Sequence, residues 1–198
     1  MDFNLLTFIQ IVTVLVVIMD PVGNSAAALS LTADQTARQR QKTINVMGAA
    51  IAVLLISFFL AGRFVLDALH LHTADFLLGG GILLIIVSLG MLTGRGSMHK
   101  DEPGSVAIVP LATPLLVGPG TLTMVILIQT EKPALEGIVG VAASALIVWG
   151  VIRMATPIHR LLGDKGVKVV SKVMAIVVVG YAGSFIHKAL LEWGVAQR

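Results

Sequence analysis

The sequence predicts an all-α integral membrane protein: one transmembrane domain of six transmembrane helices, arranged as two inverted three-helix repeats, with helices 1 and 4 discontinuous. Three observations carry this. The 198 residues are 56% hydrophobic and 13% charged, against about 25% charge in a soluble domain, and the mean hydropathy is +0.93. Long apolar runs alternate with short polar connections, as membrane-crossing helices require. Two of the runs are interrupted, at Asp20-Pro21-Val22-Gly23-Asn24 and at Gly118-Pro119-Gly120-Thr121, and Pro119 follows Pro21 by 98 positions.

Residues 5–31 form the first segment. Pro21 has no amide proton and its ring clashes with the preceding turn. Gly23 is free to take angles other residues avoid. Asp20 and Asn24 are polar groups able to satisfy the backbone that a break exposes. Thr7, Gln10, Thr13 and Asp20 fall within about 140° of one another at ~100° per residue. Such a stripe faces other helices or a cavity, and interhelical hydrogen bonding alone also explains it. A secretory leader needs a basic start, which Met1-Asp2-Phe3-Asn4 lacks, so this segment is expected to be retained.

Segment two, residues 43–62, has no formal charge and suits a core of about 30 Å. Segment three, 76–94, carries Gly79-Gly80-Gly81, which in lipid lets helix backbones approach closely. A polar midpoint, 95–105, leads to segment four, 106–129, with Pro110, Pro114 and Pro119. Segment five, 137–152, reaches back toward Pro133 and ends near Trp149, a residue suited to the interface. A basic connection, 153–172, precedes segment six, 173–193, where Lys188 can snorkel outward. The repeats are residues 1–98 and 103–198, with approximate bounds.

With six crossings, Arg38, Arg40, Lys42, Arg95, Lys100, Arg153, Arg160, Lys165, Lys168 and Lys172 share one side. Arg63, Lys132, Lys188 and Arg198 share the other. The excess of Lys and Arg marks the cytoplasmic side, so both termini are expected in the periplasm. Re-entrant hairpins at the two breaks, with two crossings per half, are the alternative topology. The net charge of +3 lies in short loops and gives no reason to expect nucleic acid. The chain has no cysteine, so neither a disulfide nor a thiolate site exists. His70 and His72, at i and i+2, do not share a helical face, and no metal or cofactor is expected.

Three crossings per half invert the second half relative to the first, an arrangement many secondary transporters use. The half-helices expected at 25–31 and 121–129 then aim their N-termini at the centre. Each offers unpaired amide protons and a partial positive charge, suited to a carboxylate. Asp20 adds an acid deep in a span, able to hold an ammonium group or carry a proton. A pocket with both signs of charge suits a small zwitterion. Proline kinks alone need no function, however, and Asp20 as a plain helix cap is the competing account. The candidate binding residues are Asp20, Pro21, Gly23, Asn24, Ser25, Thr113, Gly118, Pro119, Gly120 and Thr121.

Asp20-Pro21-Val22-Gly23-Asn24, together with Pro110-Leu111-Ala112-Thr113-Pro114-Leu115-Leu116-Val117-Gly118-Pro119-Gly120 at the midpoint, resembles the MarC family over essentially the whole chain. The resemblance implies six transmembrane helices and a place in the bacterial inner membrane. It also implies kinship with SnatA-type transporters of small neutral amino acids such as glycine and alanine. The expected function is therefore a secondary transporter of a small zwitterionic amino acid, with a proton or cation as candidate coupling ion and the lipid bilayer as surroundings. A channel or a structural membrane protein is the alternative. An enzyme is not expected. Aspartyl chemistry needs two carboxylates sharing a proton, and only Asp20 lies deep in a span. No Gly-x-Ser-x-Gly nucleophile motif or phosphate-binding loop is present.

Overall fold

The computed structural model describes residues 3–68, 70–93 and 116–195. All regular structure among the described residues is helical: α1 (Leu5–Met19), α2 (Pro21–Leu31), α3 (Ala37–Ala68), α4 (Thr73–Thr93), α5 (Pro119–Glu131), α6 (Ala134–Arg153) and α7 (Ala155–Glu192). Four of these, α3, α4, α6 and α7, are long and apolar enough to cross a membrane, and α1 with α2 forms a pair bent by 42° that is long and apolar enough to be either one broken span or a re-entrant loop. The midpoint and the first part of segment four in sequence, with Pro110, Thr113 and Pro114, lie outside the described residues.

Helix ends differ from the sequence expectation where polar residues continue a helix beyond the apolar run. α3 has 32 residues, about 48 Å at 1.5 Å per residue, so it projects beyond a core of about 30 Å. Its start is a capping box. Gln39 N donates to Thr36 Oγ1 at 3.3 Å, and Thr36 N donates to Gln39 Oε1 at 2.9 Å. The expected connection 153–172 is corrected: it is helical on both sides of a turn at Gly163 in α7, where φ is +64°. That left-handed angle suits glycine, and His159 Nδ1 meets Asp164 Oδ1 across the turn at 3.4 Å.

Two clusters of contacts define the ends of the bundle. At one end Asn4 N donates to Glu136 Oε1 at 2.8 Å, Arg63 N donates to Gln129 Oε1 at 3.0 Å, and Lys188 pairs with Glu131 at 2.7 Å. At the other, Arg40 Nη2 donates to Thr32 O at 3.2 Å, while Trp149 Nε1 and Arg153 Nη1 both donate to Asn45 Oδ1, at 3.3 and 3.1 Å. Arg153 also lies 5.3 Å from the Trp149 ring centroid, a cation–π contact. Both α1 and α7 therefore have their terminal ends on the first side. α2 runs toward the second end and α5 toward the first, so these two short helices point in opposite directions.

The core is apolar and lies where α1, α3 and α6 meet: Ile11, Leu15, Ile51, Leu55, Val141, Val148 and Ile152 are all buried. α4 lies along α7 in the most extensive helix pair, and α2 packs on α7 and α6. The outward faces are as apolar as the core. Leu60, Leu146 and Ile176 are each about two-thirds exposed, a surface matched to hydrocarbon rather than water.

Candidate functional site

The first break is one residue long. Asp20 adopts φ 36°, ψ 65°, the left-handed region that Asp tolerates better than most residues. Its amide donates to Val16 O and Val17 O at 3.1 and 3.3 Å, closing α1. Pro21 then starts α2 at the first helical position, where its missing N–H costs nothing. Asp20 Oδ1 accepts from Gly23 N at 3.1 Å, a side-chain N-cap. Asn24 Nδ2 donates to Met19 O at 2.8 Å, taking a carbonyl that the break exposes. Ser25 Oγ donates to Val22 O at 2.6 Å. The half-helix thus begins at Pro21 rather than at residue 25, and Gly23 sits inside it.

Asp20 is only 4% exposed. Its second oxygen accepts a hydrogen bond from the Ser171 hydroxyl on α7. A Cβ on Gly23 would overlap both the Asp20 carboxylate and the Ser171 hydroxyl. Glycine at 23 is what lets α2 lie this close to α7. Asp20, Gly23 and Ser171 form a polar cluster at the bend between α1 and α2. Sequence reasoning missed Ser171. It falls in a basic stretch that reads as a connection, and its partner lies 151 positions away.

The second break is built differently. Gly118 caps α5 in extended conformation (φ −79°, ψ 174°), and Pro119 occupies the first helical position. Among the described residues no side chain caps this N-terminus. Thr121 Oγ1 donates to Leu116 O at 3.3 Å and Thr123 Oγ1 to Pro119 O at 2.9 Å, so both hydroxyls serve their own backbone. Gly120 lies against Leu84, and Thr123 against Gly80, both on α4. The two breaks therefore rest on different helices, the first on α7 and the second on α4, and those helices pack on each other. Thr113 lies outside the described residues. Of the polar stripe on α1, Asp20 is buried, Gln10 borders a cavity and Thr13 is exposed.

A family model described as MarC family integral membrane protein matches residues 5–194, nearly the whole chain. This chain belongs to the MarC family. The MarC relatives include the UPF0056 membrane protein YhcE of Escherichia coli (strain K12), 31% identical with 85% of each chain covered. The UPF0056 inner membrane protein YhgN of the same strain is 30% identical, covering 93% of this chain and 96% of its own. A UPF0056 membrane protein of Archaeoglobus fulgidus is also 30% identical, over 91% and 90%. No solved structure matches the chain significantly. The MarC assignment establishes an integral membrane protein and agrees with the apolar outer faces of the helices.

The two glycines of the second MarC break are expected to respond oppositely. A Cβ on Gly120 would run into the Leu84 side chain, whereas one on Gly118 meets no atom of the described residues within 4 Å. Gly120→Ala should lower stability by about 1–3 kcal/mol, the usual cost of overpacking. Gly118→Ala, which meets no described neighbour, should leave it within about 0.5 kcal/mol. Thermal melts of the two variants in detergent compare them directly; equal melting temperatures would count against the packing of α5 on α4.

Proposed function

We propose that this MarC family protein is a secondary transporter of small neutral amino acids, glycine- or alanine-like, working by alternating access around its broken helices. The observation that carries this reading is the Asp20 cluster: a nearly inaccessible carboxylate at a bend in a membrane crossing, hydrogen-bonded across to a second helix. An acid in such surroundings is expensive to keep unless it is used. α2 and α5 start from proline breaks and run to opposite ends of the bundle, which supports two inverted repeats and a sixth crossing formed by segment four. In this reading Asp20 serves the substrate ammonium or a coupling proton. The first-turn amides of α5, which no described side chain caps, serve the carboxylate. Because Ser171 ties Asp20 to α7, opening toward either side would separate α2 from α7. The basic ends of α3 and α7 would face the cytoplasm of a bacterium and both termini the periplasm.

The test is flux of labelled glycine and alanine in proteoliposomes holding the purified full chain. Saturable uptake is expected, and Asp20→Asn should reduce it at least tenfold while the protein remains folded. No flux of any amino acid by the native chain defeats the proposal, and flux that never saturates identifies a channel instead.

A further inference from the structure

A cavity of about 330 Å³ lies between α1, α5 and α7, and none of the residues of either break lines it. Its size is at the small end of ligand sites, about 300–1,000 Å³. Ile11, Val14, Leu127 and Phe185 make a buried apolar floor. Gln10, Tyr181 and Ser184 give its wall a few polar groups. Its rim carries Glu131, Lys132 and Lys188, at the end of the bundle where α1 begins and α7 finishes.

The rim has an unusual composition for its position. Lys188 Nζ donates to both Glu131 oxygens, at 3.0 and 2.7 Å, bridging α5 to α7 across the mouth. Both side chains are more than one-third exposed, and exposed pairs contribute little net stability. Opening the pair for a ligand is therefore cheap. Lys132 adds a second ammonium, so the rim holds two cations and one carboxylate above an apolar floor. A zwitterion with an apolar side chain complements every part of that arrangement.

We propose that this cavity binds a neutral amino acid with an aliphatic side chain, its carboxylate on Lys132 and Lys188, its ammonium on Glu131 and its side chain on the apolar floor. The proposal rests on the transport reading for the class of zwitterion, but on different residues. It places a second zwitterion site at the end of the bundle opposite the basic ends of α3 and α6, distinct from the breaks that would carry the glycine- or alanine-like cargo. It also adds a preference that the breaks alone do not give. Affinity should rise from glycine through alanine to leucine, by roughly fourfold for each methylene buried.

Calorimetry on the full chain in nanodiscs, with glycine, alanine, valine and leucine as probes, tests this. Leucine should bind best, and isoamylamine and 4-methylpentanoate, each lacking one charged end, at least tenfold more weakly. Glu131→Gln and Lys188→Gln should each weaken leucine at least tenfold. The exchanged pair, Glu131→Lys with Lys188→Glu, should recover leucine binding to within threefold, because the zwitterion can turn end for end. Melting temperatures of all variants should stay near the native value. Leucine binding that is unchanged in both single variants overturns this site and leaves the transport proposal standing. So does the absence of amino-acid binding alongside measurable flux. A native chain that binds leucine through the rim pair but moves no amino acid does the reverse.

Discussion

Gly23→Ala is expected to cost about 2–4 kcal/mol of stability and to abolish the proposed transport. Glycine is the only residue that fits at this position. An alanine Cβ would occupy space held by the Asp20 carboxylate and the Ser171 hydroxyl. Both are side-chain groups, so the clash can be relieved, but only by turning Asp20 away. Turning it removes the cap on Gly23 N and the bond from Ser171. Overpacking costs about 1–3 kcal/mol, and a lost hydrogen bond adds about 1 kcal/mol. The carboxylate also leaves the position that the proposed transport mechanism needs. Ser171→Ala on the Gly23→Ala background should recover part of the stability, because one of the two obstructing groups is gone, and none of the transport. Gly150→Ala is the matched control: no atom of the described residues lies within 4 Å of its Cβ, and a helical glycine replaced in open space gains about 0.5–1 kcal/mol. Melting curves and flux measured on the same preparations decide the matter. A Gly23→Ala protein that melts and transports like the native chain would show that α2 does not lie against α7 as described.

Much of this arrangement is legible in the sequence, and what is hidden has physical causes. The break at Asp20 and Pro21 can be read directly, because an acid followed by a proline inside an apolar run interrupts helical hydrogen bonding wherever it falls. Asn24 reads as a group that satisfies exposed backbone, and it takes Met19 O. The start of α2 is harder to place because Gly23 looks like part of the interruption. Its role is to allow close packing, which depends on a neighbour rather than on its own backbone angles. Apolar runs give the spans but not the helix ends, since hydropathy marks where lipid begins and not where helical hydrogen bonding stops. Thr36 and Gln39 do hold that information as a capping box. Ser171 and the Glu131–Lys188 pair carry no local signal. Each acquires a role only when α7 folds back against helices from the other parts of the chain. Gly79-Gly80-Gly81 is legible as a packing element, but not which of the three glycines makes the contact.

Gly81→Leu should be the most damaging substitution in that triplet, lowering stability by about 3 kcal/mol or more. The three neighbours share composition and helix yet face different surroundings. A Cβ on Gly79 meets no atom of the described residues within 4 Å, and Gly79 is exposed among them. A Cβ on Gly80 would overlap the Thr123 side chain, which belongs to α5. A Cβ on Gly81 would sit 2.8 Å from Ile186 Cγ1, 3.0 Å from the backbone oxygen of Ala182 and 3.3 Å from Phe185 Cβ. The Ile186 side chain can rotate, but the Ala182 carbonyl is fixed within α7 and cannot yield. A leucine there forces α4 away from α7 along the most extensive helix pair in the bundle. Helices in lipid have little hydrophobic drive to reassociate, so packing lost at this seam is not recovered elsewhere. Ile186→Ala should rescue Gly81→Leu only partly, since the carbonyl contact remains, and a double-mutant cycle on thermal melts measures that remainder. Gly79→Leu, with no described neighbour to displace, should melt within about 0.5 kcal/mol of native. Equal damage from Gly79→Leu and Gly81→Leu would mean that general helix propensity, and not the close approach of α4 to α7, sets the tolerance of this triplet. Both breaks rest on these two helices, so the spacing that Gly81 fixes also sets how far apart the two interruptions are held.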